Sequence, residues 1–330
     1  MNLTGKLPCR IILVSKLHIK AQPMRHFTFR ISLILGLAVL LSSCLPPSAD
    51  VETPGANQIP RLPSPTPEET SQPALPGKMV QEPNPLPPDP LKVVFFSEDG
   101  AELQGMFFPA ATLDQPVVVF MHWYQGDQGE WEEIAYWLQN RGSSGIQRGV
   151  PWLDPSWFPA LPSGTSYNIL TFTFRECEGG CRQLAPEEWL GDARASLEAA
   201  RSLQGVNPDL VIAIGASIGG DAAVSSCAAA LETDPDACLG ALSLSPGSYL
   251  GQTYSDQVAK LENATPPRPA WCFYDQSDPD AVACEEAGGS LYHQEAWSDG
   301  NLHGMHLITS TLDPLPLSRL LEFLDLVTGN

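Results

Sequence analysis

From Leu91 onward, short apolar runs alternate with longer amphipathic stretches. Lys92–Phe96 and Leu103–Phe108 flank the turn-forming Glu98-Asp99-Gly100, which predicts an antiparallel hairpin. Val117–Met121 is apolar at every position, as a strand covered on both faces must be. Further strands are predicted over Tyr167–Phe174, Leu210–Ile214, Leu239–Leu244, Pro269–Tyr274 and Leu291–Trp297. Helical spacing runs through Trp131–Gln139, Pro186–Leu203, Gly219–Leu231 and Leu315–Val327. Pro186–Leu203 opens on Pro and acids and carries Arg201 near its end, which suits the helix dipole. Strands alternating with helices predict an α/β fold: a mostly parallel sheet with helices on both faces, opening with an antiparallel hairpin. No internal repeat is present.

The pattern before Leu91 is different. Residues 31–41, ISLILGLAVLL, form an uncharged apolar run behind Arg25 and Arg30, and Leu41-Ser42-Ser43-Cys44 ends it. A basic stretch, an apolar stretch and small residues before a cleavage point are the parts of a secretory signal. The run is too short to span a bilayer. Leu-Ser-Ser-Cys resembles the bacterial lipobox, which implies lipidation of Cys44. Met24 gives a signal of ordinary length, so residues 1–23 read as a mis-assigned start and Cys9 then has no role. Fourteen of the 32 prolines fall between Pro46 and Pro90. Such a segment has too little apolar surface to offset its ordering entropy, and its prolines favour extended geometry. The expected organisation is a signal over 1–43, a lipidated Cys44 with a disordered Pro-rich tether over 44–90, and one α/β domain over 91–330.

Charge narrows the partners. The chain has 18 basic and 38 acidic residues, a formal net charge of −20. Residues 91–330 alone hold ten basic and 32 acidic. A field of that sign argues against nucleic acid and against an anionic membrane surface.

One motif carries chemistry. Gly215-Ala216-Ser217-Ile218-Gly219 directly follows an apolar strand and opens an Ala-rich helix. A serine on a sharp strand-to-helix turn projects its hydroxyl from the C-terminal edge of the sheet, with the positive helix end behind it. No G-x-x-x-x-G-K-[ST] is present to suggest a phosphate loop instead. A serine nucleophile needs a base. His303 lies in a loop after the last predicted strand and ends on Gly304, His306 is the second choice, and His293 falls within a strand. The base needs an orienting acid, and Asp275, Asp278 and Asp280 compete in the turn after Pro269–Tyr274. Asp280 is also expected to cap a helix starting near Ala281.

These features together resemble the α/β hydrolases, over roughly residues 91–330. The hairpin, His122-Trp123-Tyr124 after the third strand, Phe174-Arg175 after the fourth, the Ser217 turn, the acid turn and His303-Gly304 come in that family's order. The resemblance implies Asp278 as the acid, since it precedes a proline. It also implies an oxyanion hole made by the N–H of Ile218 and by a second N–H from Trp123 or Tyr124. The chain departs from the family at Trp123 and Glu176, where Gly is usual. The short stretch between Leu244 and Pro269 leaves no room for a cap domain, as in the compact, dienelactone-hydrolase-like members. The insertion 141–166, with Trp152, Trp157 and Phe158, is either a wall over the site or a self-packed surface loop.

Six cysteines fall in the domain as Cys177/Cys181, Cys227/Cys238 and Cys272/Cys284. An even number in an exported domain predicts disulfides, with sequential pairing chosen on proximity. A zinc site at Cys177-x-x-x-Cys181 lacks a second ligand pair nearby. The expectation is an exported, lipid-anchored serine hydrolase acting on a small acyl substrate without metal or organic cofactor. The alternative is a binding or scaffold lipoprotein on the same fold.

Overall fold

The computed structural model describes residues 87–141, 150–298 and 300–329. The signal over 1–43, lipidation of Cys44 and the tether through residue 86 lie outside the described residues. No helix among the described residues is long and apolar enough to cross a membrane.

Among the described residues eight strands form one sheet: β1 (Leu91–Phe96), β2 (Glu102–Phe108), β3 (Gln115–Met121), β4 (Asn168–Phe172), β5 (Val206–Ala216), β6 (Gly240–Leu244), β7 (Ala270–Asp275) and β8 (Tyr292–Trp297). Their order is β1-β2-β4-β3-β5-β6-β7-β8. β1 and β2 pair antiparallel, with Leu91 opposite Phe107 and Phe96 opposite Glu102, and Gly100 turns between them at φ 84°. β2 also runs antiparallel to β4, and every later pairing is parallel.

The helices are α1 (Glu132–Leu138), α2 (Pro186–Arg201), α3 (Ile218–Leu231), α4 (Tyr254–Glu262), α5 (Val282–Glu286) and α6 (Pro316–Thr328). Side chains alternate across the sheet. Val117, Val119 and Met121 face the layer holding Trp189, Leu197 and Tyr254. Val118 and Phe120 face the layer holding Trp131, Ile134, Leu320 and Phe323. Each fully buried aliphatic or aromatic side chain contributes roughly 1.5–3 kcal/mol of transfer free energy, so the double-sided central strands anchor the domain. α3 is buried from Ile218 to Ala228 because its small side chains let it lie close to β5 and β6.

Three elements differ from the sequence expectation. β4 stops at Phe172: Thr173 N–H still reaches across to the Gln104 carbonyl on β2 at 3.2 Å, but Phe174 N–H turns away to His122 Nε2 at 3.0 Å. β5 begins four residues early, at Val206, and its register against β3 shifts between Gln115 and Val117. That irregular start, with Pro208 in it, hides the strand from an apolar-run reading. α4 was not expected at all, though Tyr254, Val258 and Leu261 form its buried stripe.

The cysteines pair as Cys177–Cys181, Cys227–Cys238 and Cys272–Cys284. The second ties α3 to the segment before β6, and the third ties β7 to α5. Mass mapping of the unreduced protein is expected to find these three linked peptides. Two or more of these six thiols titrating in denaturant without reductant would refute the pairing.

Candidate active site

The Gly215–Gly219 turn puts Ser217 at φ 53° and ψ −117°, between the end of β5 and the first residue of α3. A non-glycine residue there is strained by on the order of 1–3 kcal/mol and needs its surroundings to hold it. Ser217 N–H donates to the Leu244 carbonyl at 2.7 Å, and the Ser217 carbonyl accepts from Gly220 N–H at 2.9 Å and Asp221 N–H at 3.1 Å. Both flanking glycines are required by space. A Cβ on Gly215 would collide with the Gly219 carbonyl, and one on Gly219 with the carbonyls of Met121 and His122. The turn therefore seats the start of α3 directly against the end of β3.

Ser217, His303 and Asp278 meet in one hydrogen-bonded chain across three loops. Ser217 Oγ lies 2.9 Å from His303 Nε2, and His303 Nδ1 lies 2.7 Å from Asp278 Oδ2. Asp278 and Ser217 are both buried, and His303 is partly open to solvent. The acid turn resolves into separate tasks. Asp275, at the end of β7, accepts at Oδ1 from Ser277 N–H and Ser277 Oγ. Asp278 faces the histidine. Asp280 does not cap α5, whose N-cap is Ala281 and has no side-chain cap; its carboxylate accepts a short hydrogen bond from the Tyr249 hydroxyl. A tertiary partner 31 residues away has displaced the local capping role.

His293 does not reach Ser217; it sits on β8, with Nε2 3.0 Å from Arg319. His306 stacks edge-on between Trp123 and Trp152, with centroid distances of 4.8 and 5.4 Å. Burial, and then the nearby His303, hold its pKa below the usual value. Trp152 belongs to the 141–166 insertion, so that segment contributes a wall beside the histidine loop. Its other aromatics pack onto α1: Trp137 lies 5.6 Å from Phe158 and donates Nε1–H to the Pro159 carbonyl at 2.7 Å.

The Trp123-Tyr124 loop is fixed from two sides. His122 is fully buried. Because its Nε2 accepts from Phe174 N–H, the ring proton is on Nδ1, which donates to the Trp123 carbonyl at 2.7 Å. Burial pushes the His122 pKa down to about 4. On the other side, Cys181 N–H donates to the Tyr124 carbonyl at 2.8 Å and Gly179 N–H to Asp127 Oδ2 at 3.0 Å. The small loop closed by Cys177–Cys181 thus braces the turn after β3. Arg175 follows β4, and its guanidinium binds Asp192 on α2 and Asp99 in the β1–β2 turn. Glu176 takes φ 59°, in the left-handed region that favours glycine.

His122 gives a pH prediction. Its folded pKa lies below the free imidazole value, so protons bind the unfolded chain preferentially between about pH 4 and 6.5. Its contribution to stability is complete above that window and is lost as pH falls through it. Asp221, held up to about 7 by burial, acts in the opposite sense. The denaturation midpoint of wild type minus that of His122→Gln, followed from pH 7 to pH 4, isolates the histidine. The difference is expected to shrink as pH falls, and a flat difference refutes the neutral buried assignment.

No protein-family model matches the chain, and no curated protein matches it. Solved structures do resemble it. An α/β hydrolase, GrgF, from Penicillium sp. sh18 superposes with a TM-score of 0.52 at 14% identity, covering 73% of this chain and 100% of that one. This chain has the α/β-hydrolase fold. A hyperthermophilic esterase from the archaeon Pyrobaculum calidifontis gives a TM-score of 0.51 at 12% identity over 73% of this chain and 87% of its own. The Pyrococcus furiosus esterase Pf2001 gives 0.50 at 16% over 73% and 91%. In this α/β-hydrolase fold the link from β6 to β7 carries α4 alone, with no inserted cap among the described residues.

Proposed function

We propose that this protein is a serine hydrolase that cleaves a small carboxylic ester through an acyl-enzyme. The observation that carries the reading is the unbroken Ser217–His303–Asp278 relay on a strained strand-to-helix turn. Ser217 Oγ attacks the acyl carbonyl while His303 Nε2 takes its proton. Asp278 holds Nδ1–H, fixing the tautomer and stabilising the imidazolium. His303 then returns the proton to the departing oxygen, and water repeats the sequence on the acyl-enzyme.

The oxyanion falls to two backbone donors. Ile218 is the first residue of α3, where N–H groups have no intrahelical acceptor and the helix dipole favours negative charge. For the second donor Tyr124 is preferred over Trp123. The Trp123 carbonyl is turned toward His122 Nδ1 and Gly126 N–H. A trans peptide then points the Tyr124 N–H the opposite way, away from that buried pair.

Esterases among the similar folds favour an ester over an amide. The cap-less link after β6 supports the compact, dienelactone-hydrolase-like kind. Three disulfides support an extracytoplasmic setting, and we read Cys44 as the lipid anchor that holds the domain to the outer face of a bacterial membrane. A fluorophosphonate probe tests the reading: labelling of Ser217, identified by peptide mass, is the expected result. A folded protein that stays unlabelled favours a binding protein on this fold instead.

A further inference from the structure

A second hydrogen-bonded pair lies beside the triad. Tyr249 is in the loop after β6. Its backbone is tied to the nucleophile helix: Asp221, in the first turn of α3, accepts from Ser248 N–H at 3.1 Å and Tyr249 N–H at 2.6 Å. Its ring folds back over Gly247, where any Cβ would collide with it. Its hydroxyl donates to Asp280 Oδ2 and also interacts with the Ser217 side chain. An Asp280 carboxylate oxygen lies within 4.8 Å of a His303 ring nitrogen. Among the described residues Asp280 has no Lys or Arg partner.

The sheet order sets what this pair can reach. β3 flanks β5 on one side and β6 flanks it on the other. A carbonyl oxygen drawn to the Ile218 and Tyr124 N–H groups faces the β3 side. The departing oxygen, under His303, then lies toward Tyr249 and Asp280. The Tyr249 proton is committed to Asp280, so the phenol offers lone pairs toward Ser217, and the carboxylate behind it is not neutralised by a side-chain cation. Such a site accepts hydrogen bonds and favours positive charge.

We propose that Tyr249 and Asp280 form a subsite for a cationic N–H group in the alcohol part of the substrate, about two carbons from the departing oxygen. The subsite rests on the hydrolase reading above for its orientation. The ammonium N–H donates to Tyr249 Oη, and the Asp280 carboxylate opposes the charge. The acidic balance of residues 91–330, ten basic against 32 acidic, draws the same class of substrate.

Three butyrate esters test this: 2-(dimethylamino)ethyl, charged with an N–H at neutral pH; choline, charged without one; and 3-methylbutyl, the uncharged isostere of the first. The wild-type kcat/KM for the dimethylaminoethyl ester is expected to exceed that for the 3-methylbutyl ester by about tenfold or more, the scale of one hydrogen bond to a charged group. Asp280→Asn should bring that ratio close to one. Tyr249→Phe should remove the advantage of dimethylaminoethyl over choline and keep most of the advantage of choline over 3-methylbutyl. A wild-type ratio near one, or an unchanged ratio in Asp280→Asn, overturns the subsite. Calorimetric binding of the same esters to Ser217→Ala, with and without Asp280→Asn, repeats the comparison without turnover. If binding shows the preference and no ester is hydrolysed by wild type, the hydrolase reading falls and the subsite stands. If binding shows no preference, the subsite falls whatever the turnover.

Discussion

Ser217→Ala is expected to lower hydrolysis of a short p-nitrophenyl ester by about 10³-fold or more while the melting temperature stays close to wild type. The backbone contacts that hold the strained turn, the bond to the Leu244 carbonyl and those from Gly220 and Asp221, all survive in alanine. Only the Oγ that faces His303 Nε2 at 2.9 Å is removed. His303→Ala is expected to lose a comparable amount, because it takes away the proton acceptor and leaves the hydroxyl unactivated. His306→Ala should lose far less. Its ring sits between Trp123 and Trp152 and makes no bond to Ser217, so its loss loosens a wall and leaves the relay intact. Equal losses at the two histidines would leave His303 without a special role, and a larger loss at His306 would reverse the assignment.

The parts of this site that a linear reading reaches are those with local causes. The Ser217 turn is legible because glycines, an apolar strand and a small-residue helix must occur together for the backbone to pass so near β3. The central strands are legible because burial on both faces demands continuous apolar runs. Legibility fails where a partner comes from far along the chain. Asp280 reads as a helix cap beside Ala281, yet its carboxylate belongs to Tyr249 in the loop after β6. Tyr249 itself follows an unremarkable Ser-Pro-Gly-Ser, and nothing local marks it as a neighbour of Ser217. α4 had a readable stripe at Tyr254, Val258 and Leu261, overshadowed by the polar residues on either side. The choice between Trp123 and Tyr124 turns on which carbonyl His122 holds, and no motif spacing contains that.

Asp278→Asn is the second large effect, and its cause is a tautomer. In the native turn Asp278 Oδ2 accepts from His303 Nδ1–H at 2.7 Å and Oδ1 accepts from Asp280 N–H at 3.1 Å. The side chain is buried, so neither bond is replaced by water without cost. Asparagine keeps the shape but has only one acceptor oxygen. If that oxygen stays with the Asp280 amide, the Asn NH₂ faces Nδ1, and the imidazole must carry its proton on Nε2. A protonated Nε2 cannot take the proton of Ser217. If the oxygen turns to His303 instead, the NH₂ confronts the Asp280 N–H, and the carboxylate charge that stabilises the imidazolium is gone in either case. Turnover of a neutral p-nitrophenyl ester should fall by on the order of 10³-fold, with little change in melting temperature. Asp280→Asn, which disturbs Tyr249 and leaves the Asp278–His303 bond in place, should lose much less on the same ester. Turnover and melting temperature measured for both variants side by side decide between the two carboxylates. A mutant pair in which Asp280→Asn is inactive and Asp278→Asn retains most of its rate would transfer the orienting role to Asp280 and place the relay through the wrong side of the turn.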